Sequence, residues 1–198
     1  MNKYIDLAVL RPGTKWGEVA TKANFARENG LASICVPPVY VQDVKHIYHR
    51  VSTVIGFPCG YSMPKVKMLE AVQAISDGAT ELDVVVWPGH IEYELQPIVE
   101  YAHTYGVRVK AIVETELNRE FLHSICRSCI DSGVDFIKSS TGFFGNPTDR
   151  DIEIMLEAVK GTSVRVKASG GIVFYEQAKH FIDMGCARIG TSRLEVLG

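Results

Sequence analysis

One phrase recurs along the chain: a helix-like segment, a glycine, and then a short apolar run rich in β-branched residues. A glycine suits the left-handed residue just past a helix C-terminus, so each phrase predicts the end of a helix followed by a strand. The six glycines are Gly30, Gly78, Gly106, Gly133, Gly161 and Gly185. From the second onward they recur about every 24–28 residues, which is the length of one βα unit.

Two further apolar runs, at 5–10 and 51–58, lack the preceding glycine and raise the number of predicted strands to eight. Strands that are apolar nearly throughout and alternate with helices are typical of a parallel sheet whose outer face is covered. The strand count and the length of 198 residues predict an α/β fold, an eight-stranded parallel βα (TIM) barrel, with residues 1–198 as a single domain. A doubly wound open sheet is the alternative.

The segments between the strands are expected to be amphipathic helices. Leu69, Val72 and Ile75 recur at helical spacing, which predicts an apolar stripe that lies on the sheet. Thr148 and Asp151 have the spacing of a capping box, which predicts a helix that begins just after Thr148.

The composition excludes several classes of protein. The chain carries 21 basic and 23 acidic residues, is 46% hydrophobic, and has no cluster of basic residues, so neither disorder nor nucleic-acid binding is expected. Its apolar runs are too short to cross a bilayer and its start lacks the features of a signal peptide, so no membrane partner is expected. Five scattered cysteines indicate reduced thiols and a cytoplasmic location.

Two lysines follow apolar runs of adjacent predicted strands, at the end of the barrel where chemistry is expected. Lys138 closes the run at 136–138 and Lys167 closes the run at 164–167. Proximity of like charges and burial both favour a neutral amine, which is a nucleophile for a carbonyl carbon. Asp83 interrupts another apolar run and needs a cationic partner if it is buried. These three residues are the candidate catalytic group, with a solvated lysine or a structural ion pair as the alternative.

Loops after the last two predicted strands are the usual phosphate site of such a barrel. Gly170, Gly171, Gly190 and Ser192 lie in these loops, where backbone N–H groups and a helix N-terminus favour an anion. Neutral donors are expected to hold the anion, and an ordinary tight turn is the alternative reading of the paired glycines.

Two acidic residues, Asp6 and Glu114, also stand late in apolar runs, each close to a loop. Cys126 and Cys129 form a lone CxxC pair with no second pair at zinc-site spacing. The sequence therefore predicts no metal site.

A series of motifs, in order along nearly the whole chain, resembles the deoxyribose-phosphate aldolase family. The motifs are at 5–6, 32–36, 53–60, 81–83, 112–115, 135–143, 166–172 and 188–192. The resemblance implies an eight-stranded barrel and a metal-independent class I aldolase. Such an enzyme reversibly cleaves 2-deoxy-D-ribose 5-phosphate to acetaldehyde and D-glyceraldehyde 3-phosphate.

The resemblance also implies roles for individual residues. Lys138 would form the covalent imine without a cofactor, Lys167 would be the charge that keeps this amine neutral, and Asp83 would relay a proton. Asp6, Cys35 and Thr141 lie in the same motifs and are assigned to substrate binding. Leu7-Ala8 and Pro37 stand where the family often has His-Thr and Asn, so contacts to the sugar hydroxyls are expected to differ.

Two other functions stay open on the sequence alone. One is a related Schiff-base aldolase or lyase that acts on a different aldehyde or sugar phosphate, and the other is a non-catalytic barrel that binds a phosphate ligand. A homo-oligomer is compatible with either.

Overall fold

A computed structural model describes residues 1–197, and in it eight parallel strands form one closed barrel in sequence order. The strands are β1 (Ile5–Ala8), β2 (Ser33–Val36), β3 (Val51–Ile55), β4 (Glu81–Val85), β5 (Arg108–Ile112), β6 (Phe136–Lys138), β7 (Arg165–Ser169) and β8 (Arg188–Thr191). β1 pairs with both β2 and β8, which closes the sheet. This closure confirms the predicted barrel and excludes the open doubly wound sheet.

Helices cover the outside of the barrel. They are α1 (Trp16–Glu28), α2 (Val41–Val44), α3 (Pro64–Asp77), α4 (Ile91–Thr104), α5 (Thr115–Asn118), α6 (Leu122–Asp131), α7 (Asp149–Val159) and α8 (Tyr175–Met184). Short 3-10 helices lie at Asn2–Tyr4, Pro38–Tyr40, Arg119–Phe121 and Leu194–Leu197. None of the helices within residues 1–197 combines the length and apolar character needed to cross a bilayer.

The apolar core lies between the strands and the surrounding helices. α7 begins as predicted, because the Thr148 Oγ1 accepts from the Asp151 N–H at 3.2 Å and the Asp151 carboxylate accepts from the Thr148 N–H at 2.8 Å. This capping box fixes the start of the helix, and Ile152 and Met155 are then completely buried against the barrel.

The predicted packing face of α3 is correct for Ile75, which packs against the core, and wrong for Leu69. Leu69 is 69% exposed, whereas Ala71, Ala74 and Lys67 are the buried residues of this helix. The two alanines let the helix backbone approach the barrel closely. The Lys67 ammonium is neutralised in the interior by the Glu94 carboxylate at 2.7 Å, so the helix turns a lysine inward and a leucine outward.

The interior of the barrel is occupied by charged side chains. Asp83, Lys110, Lys138 and Lys167 are each the third residue of their strand, in β4 to β7. Asp83 pairs in register with Lys110, and Lys138 pairs with Lys167. β5 and β6 pair Lys110 with Phe136, so Lys138 lies two residues further along the ladder than Lys110. Because side chains alternate across a strand, this even offset directs all four side chains into the barrel, at more than one level.

Candidate active site

The structure brings Lys138, Lys167 and Asp83 together. The Lys138 Nζ donates to the Asp83 Oδ2 at 2.9 Å, and the Lys167 Nζ donates to the same oxygen at 3.0 Å. The two lysine nitrogens are therefore separated by no more than the sum of these distances. Lys138 ends β6 as expected, whereas β7 continues two residues past Lys167 to Ser169, so Lys167 does not end its strand.

The charges around Lys167 keep it protonated. Burial alone would lower its pKa, but the carboxylates of Asp6, at 2.6 Å, and Asp83 outweigh burial and raise the pKa above its usual range. For the carboxyl group of Asp83, burial acts in the opposite direction and would raise the pKa. The ammonium groups of Lys110, Lys138 and Lys167 outweigh burial and lower this pKa well below its usual range. Lys167 and Asp83 therefore form a charged pair next to Lys138.

A second charged cluster lies beneath the first and was missed by the sequence analysis. The Lys110 Nζ lies 2.5 Å from the Glu81 carboxylate and 2.7 Å from that of Asp83. Arg188 contacts Asp6 at 2.5 Å and Glu81 at 3.2 Å. Glu81 is the first residue of β4 and Arg188 is the first residue of β8, so a search for charged residues at the ends of strands does not find them. The alternation of charged and apolar residues within these runs is the signal that could have found them.

The buried charges of the two clusters do not balance if every group is ionised. The carboxylates are Asp6, Glu81 and Asp83, and the cations are Lys110, Lys138, Lys167 and Arg188, all less than a tenth exposed. One positive charge is in excess, and burying an uncompensated charge is costly. The arrangement can therefore accommodate one neutral lysine at lower cost than a fully charged set.

A cavity of about 410 Å³ opens above these clusters, on the side of the barrel where the strands end. Of the predicted site residues, Asp83 lies beneath the cavity and is fully buried, and the others line it. These lining residues are Asp6, Cys35, Lys138, Thr141, Lys167, Gly170, Gly171, Gly190 and Ser192. Ala8 also lines the cavity, whereas Leu7 packs in the apolar core.

Two of the glycines are required by close packing at the cavity wall. A Cβ on Gly190 would lie 2.8 Å from the Ser169 Cβ and 3.0 Å from the Lys167 Cε, so this glycine leaves room for the lysine side chain. Gly171 has a φ of +64° and faces the Asn146 side chain so closely that no Cβ would fit. The glycines thus let the loops after β6, β7 and β8 converge on the cavity.

The end of the cavity where the sequence predicts an anion site carries more basic residues than expected. Arg11, after β1, and Arg193, directly after Ser192, both line the cavity. The expectation that no basic residue lies at this end is therefore wrong. β8 and β1 are neighbours in the closed barrel, so the loops that follow them bring Arg193 and Arg11 to one rim. The N–H groups of Val173 and Phe174, just before α8, donate to the Gln177 side chain at 2.9 and 3.1 Å.

Cys35 contributes an apolar wall and not a nucleophile. It is 1% exposed, and burial followed by the charge of Asp83 raises its pKa, so the thiol stays protonated.

Comparison with known proteins supplies a family. Residues 3–187 match the family model described as DeoC/LacD family aldolase. A protein of Caldicellulosiruptor saccharolyticus named deoxyribose-phosphate aldolase is 36% identical over 204 residues, covering 96% of this chain and 93% of that protein. The protein of the same name from Thermosynechococcus vestitus is 40% identical over 200 residues, covering 96% of this chain and 92% of the relative.

A solved structure agrees with these sequence matches. The tetrameric deoxyribose phosphate aldolase from Aeropyrum pernix superposes with a TM-score of 0.92 at 30% identity, covering 99% of this chain and 87% of that one.

Proposed function

Because the chain belongs to the DeoC/LacD family of aldolases, we propose that it reversibly cleaves 2-deoxy-D-ribose 5-phosphate to acetaldehyde and D-glyceraldehyde 3-phosphate. Its relatives over nearly the full length carry the name of that activity. The observation that carries the proposal is the position of Lys138, which lines the cavity and shares one buried carboxylate oxygen with the charged Lys167.

Lys138 is the proposed nucleophile. Lys110 and Lys167 are each held by at least two carboxylates, whereas Lys138 contacts the Asp83 carboxylate. The neutral lysine that the buried charge balance favours is therefore assigned to Lys138. A neutral amine facing a cavity can add to the aldehyde carbon of the open-chain sugar and form an imine after loss of water.

The iminium then accepts the electrons of the bond to be cleaved. A base removes the proton from the hydroxyl on C3, the C2–C3 bond breaks, and its electron pair forms an enamine with the imine carbon. The enamine takes up a proton on C2, and hydrolysis releases acetaldehyde from Lys138. We assign these proton transfers to Lys167 and Asp83, which lie within hydrogen-bond distance of each other and next to the amine.

The phosphate is assigned to the opposite end of the cavity. Gly170, Gly171 and Ser192 offer backbone and hydroxyl donors there, and Arg11 and Arg193 add full charges. Binding energy from this non-reacting group can orient the sugar so that its aldehyde carbon meets Lys138.

The proposed reaction requires neither a metal nor a cofactor, since the iminium itself serves as the electron sink. This proposal is tested with excess chelator, which should leave the rate unchanged. Loss of activity that zinc restores would overturn it.

The experiment that tests the function is chemical trapping of the imine. Incubation with acetaldehyde and sodium borohydride should add one ethyl group to the protein, and peptide mass mapping should locate it at Lys138. Turnover of deoxyribose 5-phosphate without any trapped adduct would overturn the Schiff-base mechanism. An adduct at Lys167 would overturn the assignment of the nucleophile.

We further propose that the protein is a cytoplasmic homo-oligomer. The relative from Aeropyrum pernix is described as tetrameric, and α3 turns Val66 and Leu69 outward beside exposed Tyr61, Met63 and Trp87. We propose that a second copy of the chain covers this apolar face. Light scattering should give a lower mass for Leu69→Glu than for the native protein. The five cysteines are unpaired in the structure, which supports a reducing compartment.

A further inference from the structure

One extra residue, Glu114, lies just past the end of β5, where the chain enters α5. The Val113 N–H donates to the Lys138 carbonyl at 3.0 Å, and the Thr115 N–H donates to the Ser139 carbonyl at 2.9 Å. In a regular parallel pair, N–H groups two residues apart meet carbonyls two residues apart, whereas these two carbonyls are consecutive. Glu114 is therefore a β-bulge beside Lys138, and such bulges redirect a side chain.

The backbone of Glu114 is held in a strained conformation. Its φ of +48° lies in the left-handed region, and within residues 1–197 it is the one non-glycine residue with a positive φ. Strain of this kind persists where the surroundings hold the residue in place. Here the two hydrogen bonds on either side hold the backbone of the bulge, and with it the direction in which the side chain leaves the backbone.

That direction places the carboxylate directly behind the cavity wall. The Glu114 Oε2 accepts from the Thr141 hydroxyl at 2.7 Å and from the Thr141 N–H at 3.0 Å. Thr141 lines the cavity together with Lys138. The carboxylate thus contacts a hydroxyl of the same cavity that Lys138 lines.

The second carboxylate oxygen has no hydrogen bond. The side chain is 6% exposed, and the Glu114 Oε1 finds no partner within the described part of the chain. Burial raises the pKa of Glu114, and Glu116 adds to this rise, whereas Thr141 and Lys138 lower the pKa in part. An ionised carboxylate with one bare buried oxygen is costly, so the site favours uptake of a proton.

We propose that Glu114 is a positioning residue that supplies, through the Thr141 hydroxyl, the proton taken by the leaving oxygen when the imine forms on Lys138. The inference rests on the proposed aldolase function and adds a proton donor that is separate from Lys167 and Asp83. When Glu114 is ionised it accepts the Thr141 hydroxyl hydrogen. When Glu114 is protonated it can donate to the Thr141 Oγ1, so that the threonine hydroxyl hydrogen is free to point into the cavity.

The neutral carbinolamine on Lys138 loses its hydroxyl as the nitrogen lone pair forms the C=N bond and the C–O bond breaks. The departing oxygen takes the Thr141 hydroxyl proton and leaves as water, and Thr141 takes the proton of Glu114. The products are an iminium ion, water and the Glu114 carboxylate, and hydrolysis of the iminium at the end of the cycle returns the proton.

The test measures imine formation separately from cleavage of the carbon–carbon bond. Reversible imine formation exchanges the carbonyl oxygen of acetaldehyde with water. The loss of ¹⁸O from labelled acetaldehyde therefore reports on this step once the exchange caused by spontaneous hydration, measured without protein, is subtracted. The exchange rate is measured from pH 5 to pH 9 for the native protein, Glu114→Gln, Thr141→Val and Thr141→Ser. Glu116→Gln is the matched control, because Glu116 is the next carboxylate along the chain and pairs with Arg119 at the surface.

Glu114→Gln and Thr141→Val should each slow exchange by about 100-fold, the ordinary contribution of a general acid. The exchange rate of Glu114→Gln should lose the dependence on pH that titration of Glu114 imposes. Glutamine can still accept from Thr141, so thermal unfolding should change little. Thr141→Ser retains the hydroxyl and should retain most of the exchange rate. Glu116→Gln should keep the native maximal rate and only move the pH dependence to lower pH, because it removes a charge that raises the pKa of Glu114.

Native exchange rates in Glu114→Gln, or an equal loss in Glu116→Gln, would overturn the inference while leaving the aldolase mechanism intact. Absence of both exchange and a trapped Lys138 adduct in the native protein would instead overturn the proposed function and the inference together. A loss in Glu114→Gln that is uniform across the pH range and accompanied by a lowered unfolding temperature would assign Glu114 a structural role only.

Discussion

The two charged clusters inside the barrel contain the same kinds of side chain and differ in how completely these are paired. In the lower cluster, Lys110 lies between the carboxylates of Glu81 and Asp83, and Arg188 bridges Glu81 and Asp6. In the upper cluster, Lys138 contacts one carboxylate and faces a cavity. The lower lysine is locked in an ion network, and the upper one is available to a ligand.

The reactivity of these lysines is set by the number of their carboxylate partners and not by residue type. Burial and the opposing carboxylates leave the pKa of Lys110 raised, because Asp83 and Glu81 outweigh the loss of solvation. A lysine held this way cannot act as a nucleophile near neutral pH. The lower cluster instead fixes Asp6 and Asp83, which in turn fix Lys167 beside Lys138.

The largest difference between the two clusters is expected when one lysine of each is substituted. Lys110→Met removes the cation between two buried carboxylates and should lower the free energy of unfolding by about 3–5 kcal/mol. Lys138→Met should abolish turnover and imine trapping but cost far less stability, since Asp83 keeps Lys110 and Lys167 as partners. Urea unfolding and turnover of both variants provide the measurement. Equal losses of stability would show that the two clusters are one structural network.

A smaller effect is expected from the charge that links the clusters. Lys167 has a raised pKa and so carries its charge across the working pH range, which disfavours protonation of Lys138. Lys167→Met removes that charge and leaves Asp6 and Asp83 to favour the protonated amine. The acidic limb of the pH profile for imine formation should therefore move to higher pH.

Lys179→Met is the matched control for this shift, because Lys179 is an exposed lysine paired with Asp183. An acidic limb that stays in place in Lys167→Met, while the overall rate falls, would mean that Lys167 acts in proton transfer alone.

The barrel could be predicted from the sequence because the repeat is local. Each glycine, strand and helix can be recognised from the residues of one βα unit. It also placed Lys138 and Lys167 on neighbouring strands, since one unit separates them. Ion pairs between distant strands could not be predicted from the sequence. Arg188 and Asp6, for example, meet only when β8 pairs with β1. The outward turn of Leu69 was missed for a related reason, as the inward position depends on the partner of Lys67 in α4.

The bulge at Glu114 was also hidden from the sequence. Its residue type and strand-end position were visible, but the extra residue in the ladder shows only when the hydrogen bonds of β5 and β6 are compared. Strand-end acids can therefore be found by sequence, whereas the direction of their side chains depends on register.

The smallest effect is expected at the rim, where a charge is exposed to water instead of buried in either cluster. Arg193→Ser should raise the KM for deoxyribose 5-phosphate by about fivefold, since exposed ion pairs contribute about 1 kcal/mol or less. It should leave slow activity on unphosphorylated deoxyribose unchanged, because Arg193 lines the cavity at the end assigned to the phosphate. The exposed Arg150, which pairs with Glu153 on α7, provides the control variant Arg150→Ser.

Raising the salt concentration should shrink the difference between Arg193→Ser and the native protein, because exposed charges are screened. A salt-independent loss on both substrates would mean that Arg193 supports the buried clusters, and the distinction between rim and interior would then fail.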